Sequence, residues 1–445
     1  MSARRIERLP PAAQRLLTAG AVLGRSFDLH NAGALTGQDL GSIMEAVAEA
    51  RRRHLVWASA DGTGLTFVHD KVRDALLSRL PSEEREDLHL RAATRIEAST
   101  GDAILDLSYH FDAAGKAERA LPYALRAAAQ ARSQHALQHA ELHYRIAWRG
   151  AAGAGDATRQ LIAEALGDVL MFRGSYDEAA PHLERARELA QTDLARAQAE
   201  WRIGELVFRR GDVMGSVPIF ERALHLLGCR RPSNALAFAL MTLRELAVQV
   251  VHTLFPRRFL ARRRVEDGQR DLLEARIYGR LGYCNYMGRG LLWTVPEQLR
   301  QLNLAERYPV TPELAQACMT HAVLVQIFHL RSRFLRYAAR SLELRKALGD
   351  IWGEGQTLHF TGMAHYGGSS FAQAIAHCRD AIRLFNKAGD RWEENTARFH
   401  IACNQYCLGE LGLAIEEARR NHRLSLDIGD LTLASSSLKP WSLAS

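Results

Sequence analysis

A chain of 445 residues is longer than one compact core accommodates, so two or three domains or a repeat array are expected. Hydrophobic residues make up 47% and charged residues 24%, a soluble globular composition. Scarce Pro beside abundant Ala, Leu, Arg and Glu favours helix. The net charge of +8 does not identify a nucleic-acid binder: within 229–270 nine Arg face Glu245, Glu266 and Asp267, whereas residues 1–100 hold fourteen Lys or Arg against thirteen acids.

The N-terminus, MSARRIERLPPAAQRLL, lacks the continuous apolar stretch of a signal peptide. Six scattered Cys form no C-x-x-C pair and no disulfide framework, and Cys403 with Cys407 is two ligands short of a structural zinc site. Both features point to a reducing cytoplasm, with the thiols serving as small buried side chains.

LPPAAQRLLTAGAVLG reads as a helix opened by Pro and closed near Gly24. QDLGSIMEAVAEARRRH is a second, with Leu40, Ile43, Met44, Val47 and Ala50 at helical spacing. LVWAS, the turn ADGTG and LTFVH then read as a β-hairpin. Helix, helix and hairpin make the arrangement of a winged helix. Arg51–Arg53 end its second helix. They suit phosphate contact on DNA, but equally the negative end of a helix dipole, which a near-neutral segment favours. LTFVHDKVRDALL places His69 and Asp70 where strand becomes helix. A catalytic pair needs a nucleophile and a third orienting group nearby, and none is local. Asp70 is expected to cap the following helix and His69 to contact a neighbouring domain.

Beyond residue 92 the pattern is helical. His135, His139 and His143 recur every four residues, but the outer two lie about 12 Å apart along a helix, too far for one ion. A His-rich groove or surface stripe is expected there, and packing or groove roles for His359 and His365. LGDVLMFRGSYDEAAPHLERARELA (166–190) has the small and large residues of a tetratricopeptide repeat, and 203–228 is a looser copy. ALGDIWGEGQT, KAGDRWEENTA and DIGDLTLASSS start at 347, 387 and 427, a period of 40 residues. Gly is expected to end one helix of each unit and Asp to cap the next.

Between the two sets lies NALAFALMTLRELAVQVVHTLFPRRFLARRR. Arg244 and Glu245 in its middle argue against a transmembrane span. A helix packed on the solenoid with a solvated basic connector is favoured over a basic amphipathic helix lying on a membrane. No phosphate-binding G-x-x-x-x-G-K-[ST] loop, G-x-S-x-G elbow or H-E-x-x-H occurs in the sequence.

RLPPAAQRLLTAGAVLGRSFDL, LTFVHDKVRDALLSRLPSEEREDLHLRAA and LSYHFDAAGKAERALPYALRAAAQA follow one another. Together they resemble the region after the nucleotide-binding module in bacterial STAND-type, AAA-related signalling ATPases, and the GD-W repeats resemble their sensor arrays. The resemblance implies a switch, in which a winged helix packs on a nucleotide module and the repeats sense an inducer or partner. It places His69, Asp70 and Arg73 near that interface. The nucleotide module is absent ahead of the winged helix and no output domain follows, so the chain is expected to be a fragment or a split reading frame, without ATPase activity of its own.

The expectation is therefore a mainly α chain: a tetratricopeptide-like helical-hairpin solenoid with a small N-terminal winged-helix domain. Its segments are 1–92 (winged helix), 93–228 (first repeats), 229–270 (amphipathic helix and basic connector) and 271–445 (second array, incomplete at its end). The expected function is protein- or ligand-sensing and relay by conformational change. No catalysis, cofactor or metal is expected in these residues. Partners are a protein or small inducer in the repeat groove and an ATPase module in cis or trans. Groove candidates are Arg202, His359, Asn395 and Arg398. The rivals are a DNA-binding regulator using the winged helix and, more remotely, a metal-dependent enzyme on the His stripe.

Overall fold

The computed structural model describes residues 2–59, 64–99 and 103–444. The expected turn at 60–63 lies outside them. Packing divides the chain into two compact units, 1–162 and 163–445, rather than at 92, 228 and 270.

In the first unit α1 (Ser2–Glu7) and α2 (Pro11–Leu23) precede a short strand β1 (Ser26–Asp28). The helix α3 (Leu29–Thr36) starts where Asp28 accepts the Asn31 N–H at 2.8 Å. Asp39 caps α4 (Leu40–Arg52) in the same way through Ser42 N at 3.0 Å. That helix buries Ile43, Ala46, Val47 and Ala50 but leaves Leu40 and Met44 exposed. β2 (Val56–Ala58) and β3 (Gly64–Phe67) form the expected antiparallel pair, and β1 adds to the other side of β3, giving the order β1-β3-β2 with Phe27 opposite Leu65. Leu16, Leu17, Phe27, Leu55, Leu65 and Phe67 fill the core between helices and sheet, with Val72 and Leu76 of α5 (Asp70–Leu77).

The same unit continues through α6 (Ser82–Ser99), α7 (Ile104–Ala113), α8 (Ala117–Ser133) and α9 (Leu137–Gly150). The alanines of α8 at 120, 124, 127, 128 and 131 are buried, which lets neighbouring helices approach closely. The helix α10 (Asp156–Phe172) crosses the boundary between units.

The second unit is a solenoid of antiparallel helical hairpins. After α11 (Tyr176–Leu189) the pairs are α12 (Asp193–Arg209) with α13 (Val213–Leu226), α16 (Gln269–Gly288) with α17 (Leu291–Ala305), α18 (Pro312–Ile327) with α19 (Arg331–Ala347), α20 (Ile351–Gly367) with α21 (Phe371–Ala388), and α22 (Arg391–Cys407) with α23 (Leu411–Ile428). The helix α24 (Leu431–Ala444) packs on α23. Gly167 and Gly204 sit where an added Cβ would stand 2.5 Å from Leu183 and 2.6 Å from Phe220, so small residues do set the helix spacing.

The 40-residue signature has a double role. Gly389 and Gly429 are left-handed at φ +78° and +74°, ending α21 and α23. Asp390 and Asp430 then cap the next helices, accepting from Glu393 N at 3.1 Å and Leu433 N at 2.8 Å. Each Asp also accepts an indole N–H from the repeat before it: Trp352 to Asp390 at 3.0 Å and Trp392 to Asp430 at 2.9 Å. Cap and tryptophan together staple successive repeats.

Two further helices, α14 (Ala235–Leu254) and the short α15 (Pro256–Phe259), interrupt the array. The inward face of α14 is polar. Glu245 accepts from Asn303 Nδ2 at 2.7 Å and lies 3.5 Å from Arg300, Gln249 donates to Asn303 and Glu306 at 2.6 and 3.0 Å, and His252 Nδ1 is 2.9 Å from Glu306, all on α17.

A candidate ligand-binding cavity

The second unit curves until its ends meet. Arg209, at the end of α12, donates to Asp390, 181 residues on, at 3.1 and 3.2 Å and to Glu205 at 3.1 Å. Its guanidinium lies 5.2 Å from the Phe172 ring centroid and 5.3 Å from that of Trp392. Arg280 donates to Glu205 at 2.7 Å from the other side. Burial works against the Arg209 charge, but Asp390 and Glu205 more than offset it and hold its pKa above the ordinary value. Thr432 Oγ1 donates to the Gly211 carbonyl at 2.7 Å nearby.

The closure encloses a cavity of about 210 Å³, lined chiefly by α12, α16, α18, α20 and α22, the first helices of successive hairpins. Its walls carry Trp201, Tyr283, Trp352, Phe360 and Trp392, an aromatic cage open to stacking or cation contacts. Its arginines are paired: Arg276 with Glu313 at 2.8 Å, and Arg345 with Asp350 and with Gln316 at 2.7 Å. A smaller apolar annex, lined by Tyr286, Val323, Leu324 and Ile327, shares Tyr283, Phe360 and Met363 with it.

Two buried polar atoms on the cavity wall have no hydrogen-bond partner, the donor Trp201 Nε1 and the acceptor Gln356 Oε1. Leaving such groups unmet costs about 1–3 kcal/mol each, an expense that a bound ligand offsets. On the same wall His359 Nε2 lies 3.0 Å from His400 Nδ1, and His359 Nδ1 is 3.7 Å from Glu393. Burial, then the His359 ring, pulls His400 down to about 3, so it stays neutral. Burial pushes the Glu393 carboxyl up, but the hydrogen bond and charge of His359, with Arg209 and Gln356, outweigh it and hold the group below its ordinary value. The arrangement suits reversible binding of a molecule with an aromatic or apolar body and both hydrogen-bonding senses.

Of the four groove candidates only His359 lines this cavity. Arg202 turns to Asp168 at 3.0 Å and Glu164 at 3.3 Å. Asn395 lies between α22 and α23, where its amide donates to Ser425 at 2.8 Å and its Oδ1 accepts from Asn421 at 2.7 Å. Arg398 holds Glu394 and Glu417, each at 2.9 Å. The displacement is one of helical phase. Trp201 faces the cavity and Arg202 does not, and Thr396 faces it while Asn395 does not, because each residue step turns the side chain by about 100°. The unpaired Trp201 and Gln356 were missed, because no local pattern marks a polar atom left without a partner.

In the first unit His69 and Asp70 are exposed at the sheet-to-helix junction, and Arg73 donates to the Ala21 carbonyl at 2.9 Å. His69 rather than Asp70 occupies the cap position of α5, with no side-chain capping bond. Asp70 is the first helical residue and lies 3.5 Å from Arg25. The His stripe does not stay on one surface: His143 turns inward to Ser108 Oγ at 2.9 Å while His139 is exposed. Among the described residues no group of three or more His, Cys, Asp or Glu is arranged to hold a metal ion. Arg52 and Arg53 both engage Glu49.

No family model matches the chain, and no curated protein does. Among solved structures it is similar to a signal-transduction ATPase with numerous domains (STAND) bearing a tetratricopeptide repeat sensor, from Pyrococcus horikoshii, at 12% identity and a TM-score of 0.41, covering 99% of this chain. The chain spans 60% of that protein's length. It is also similar to a Rap protein complexed with competence and sporulation factor (12% identity, TM-score 0.33, 82% of this chain and 80% of that one). A third is the APC/C hetero-tetramer Cut9-Hcn1 (12% identity, TM-score 0.22, 84% of this chain and 92% of that one).

Proposed function

We propose that the second unit is a sensor, whose cavity takes a short peptide or small inducer and whose closure reports occupancy. The observation that carries this reading is a shared residue. Trp352 lines the cavity and donates to Asp390, the carboxylate that holds Arg209 across the closure. A ligand stacking on Trp352 or Trp392 acts on the same side chains that keep the ring shut, so binding and closure share one equilibrium.

The first unit is read as a winged helix followed by helical repeats. The order α2-β1-α3-α4-β2-β3 supports this. Exposed His69 and Asp70, with Arg73 beside them, are proposed to meet a nucleotide-binding module in cis or trans, so that the chain relays a signal and performs no chemistry. A DNA-binding role is the weaker reading, since Glu49 engages two of the three arginines it needs.

The test is a thermal-shift screen of the full chain against a pentapeptide library and a set of aromatic carboxylic acids. A ligand present at about a hundred times its Kd stabilises the folded form by about 2.7 kcal/mol, a shift of several degrees or less for a unit of this size. The shift is expected to disappear in Gln356→Leu and to weaken in Trp352→Phe. A screen without hits, or hits untouched by both substitutions, would defeat the proposal.

A further inference from the structure

The helix α14 is amphipathic in the reverse of the usual sense. Its inner stripe of Glu245, Gln249 and His252 is buried against α17 by the hydrogen bonds given above. Its outer face is aliphatic: Leu236 is 72% exposed, Leu243 65% and Leu254 65%, with Leu240, Leu246 and Val250 exposed between them. Over 20 residues that face runs about 30 Å. The helix is long and apolar enough to cross a membrane by length and composition. A span would carry Arg244, Glu245 and His252 into hydrocarbon and break their bonds to α17.

A second feature adjoins this face. An open groove of about 600 Å³ is lined by Arg244, Arg258, Arg262, Arg263 and Arg307, together with Val251 and Phe259. Arg263 and Arg307 share one carboxylate, Asp271, at 2.7 and 3.3 Å. No acid occurs in the sequence between Glu245 and Glu266, so the groove keeps a positive surplus.

We propose that this face docks on the surface of an anionic bilayer, with α14 lying in the interface plane. The aliphatic row meets the acyl boundary and the arginine groove takes the phosphate of an acidic headgroup. Charge distinguishes this occupant from a second copy of the chain. Pairing two α14 faces would bring two uncompensated arginine rims together, whereas an anionic lipid surface complements both halves of the patch at once.

The test is flotation of the full chain with vesicles of phosphatidylcholine alone and of phosphatidylcholine doped with phosphatidylserine. Binding is expected on the doped vesicles only, and it should weaken with added salt. Arg258→Ala and Arg262→Ala should each lower the partition coefficient about five-fold. Leu243→Ser with Leu254→Ser should abolish flotation while the circular dichroism stays unchanged, since both side chains are exposed. Soluble glycerophosphoserine should compete poorly if the bilayer is the occupant; effective competition would mean a free-phosphate site and would overturn the proposal. Equal binding to neutral vesicles, no flotation, stronger binding to polyglutamate than to doped vesicles, or a dimer by light scattering that the Ser substitutions dissolve would each overturn it.

Discussion

Arg209→Met probes the closure of the second unit most directly. Arg209 and Asp390 are almost wholly buried, and removing one partner of a buried ion pair costs about 3–5 kcal/mol because the other charge is stranded. Here the stranded groups are partly cared for. Glu205 keeps Arg280, and Asp390 keeps the Trp352 indole and the helix N–H groups. The expected loss is therefore near the lower end, about 3 kcal/mol, with a further contribution of about 1 kcal/mol from the lost contacts to Phe172 and Trp392. Asp390→Asn retains a capping side chain that still accepts from Trp352. In the double variant no carboxylate is stranded at position 390, so its loss should fall short of the sum of the single losses by about 1–3 kcal/mol. Urea unfolding followed by tryptophan fluorescence gives the energies, and hydrogen exchange at α12 and α22 localises them. Strict additivity, or an Arg209→Met variant as stable as the parent, would refute the view that this pair closes the ring.

Acid should weaken the first unit through His89 and His110, whose Nδ1 atoms lie 2.9 Å apart. Burial, with neighbouring arginines for His89 and the His89 ring for His110, pulls each down to about 4. The unfolded chain binds protons near the ordinary pKa of 6.5 and the folded one does not. This stability is complete above pH 6.5 and is lost as pH falls toward 4. At pH 5 the loss is about 2 kcal/mol for each ring. Urea unfolding read at Trp57 and Trp148 should show that slope, and a His89→Phe, His110→Phe double variant should flatten it; an unchanged slope would count against this account. Gly204→Val should cost about 1–3 kcal/mol by driving a branched side chain into Phe220. Gly412→Ala, with open space around its Cα, should instead be neutral or stabilising by up to about 1 kcal/mol.

The sequence by itself determined the elements and their period. Gly389–Asp390 and Gly429–Asp430 are stop and start signals whose geometry depends on a few neighbouring residues, and a fixed step of 40 residues already implies stacked hairpins. Small residues at 167 and 204 announced close helix contacts for the same local reason. The β2–β3 pair was legible in its apolar runs, whereas β1 was not, because three residues carry too little pattern and the strand exists only through pairing with β3.

Only the tertiary structure decided what the elements do together. The meeting of Arg209 with Asp390 depends on curvature accumulated over five hairpins, and no local signal encodes it. The cavity face was missed by one residue in Arg202 and Asn395, since an angular error of about 100° leaves the helix intact but changes which side chain points inward. The sequence of α14 shows an apolar helix with charges inside it. That its polar stripe is the buried side follows from the polar surface α17 presents, with Arg300, Asn303 and Glu306 in place to receive it. Burial is a property of the partner as much as of the helix, and the partner is chosen by the fold.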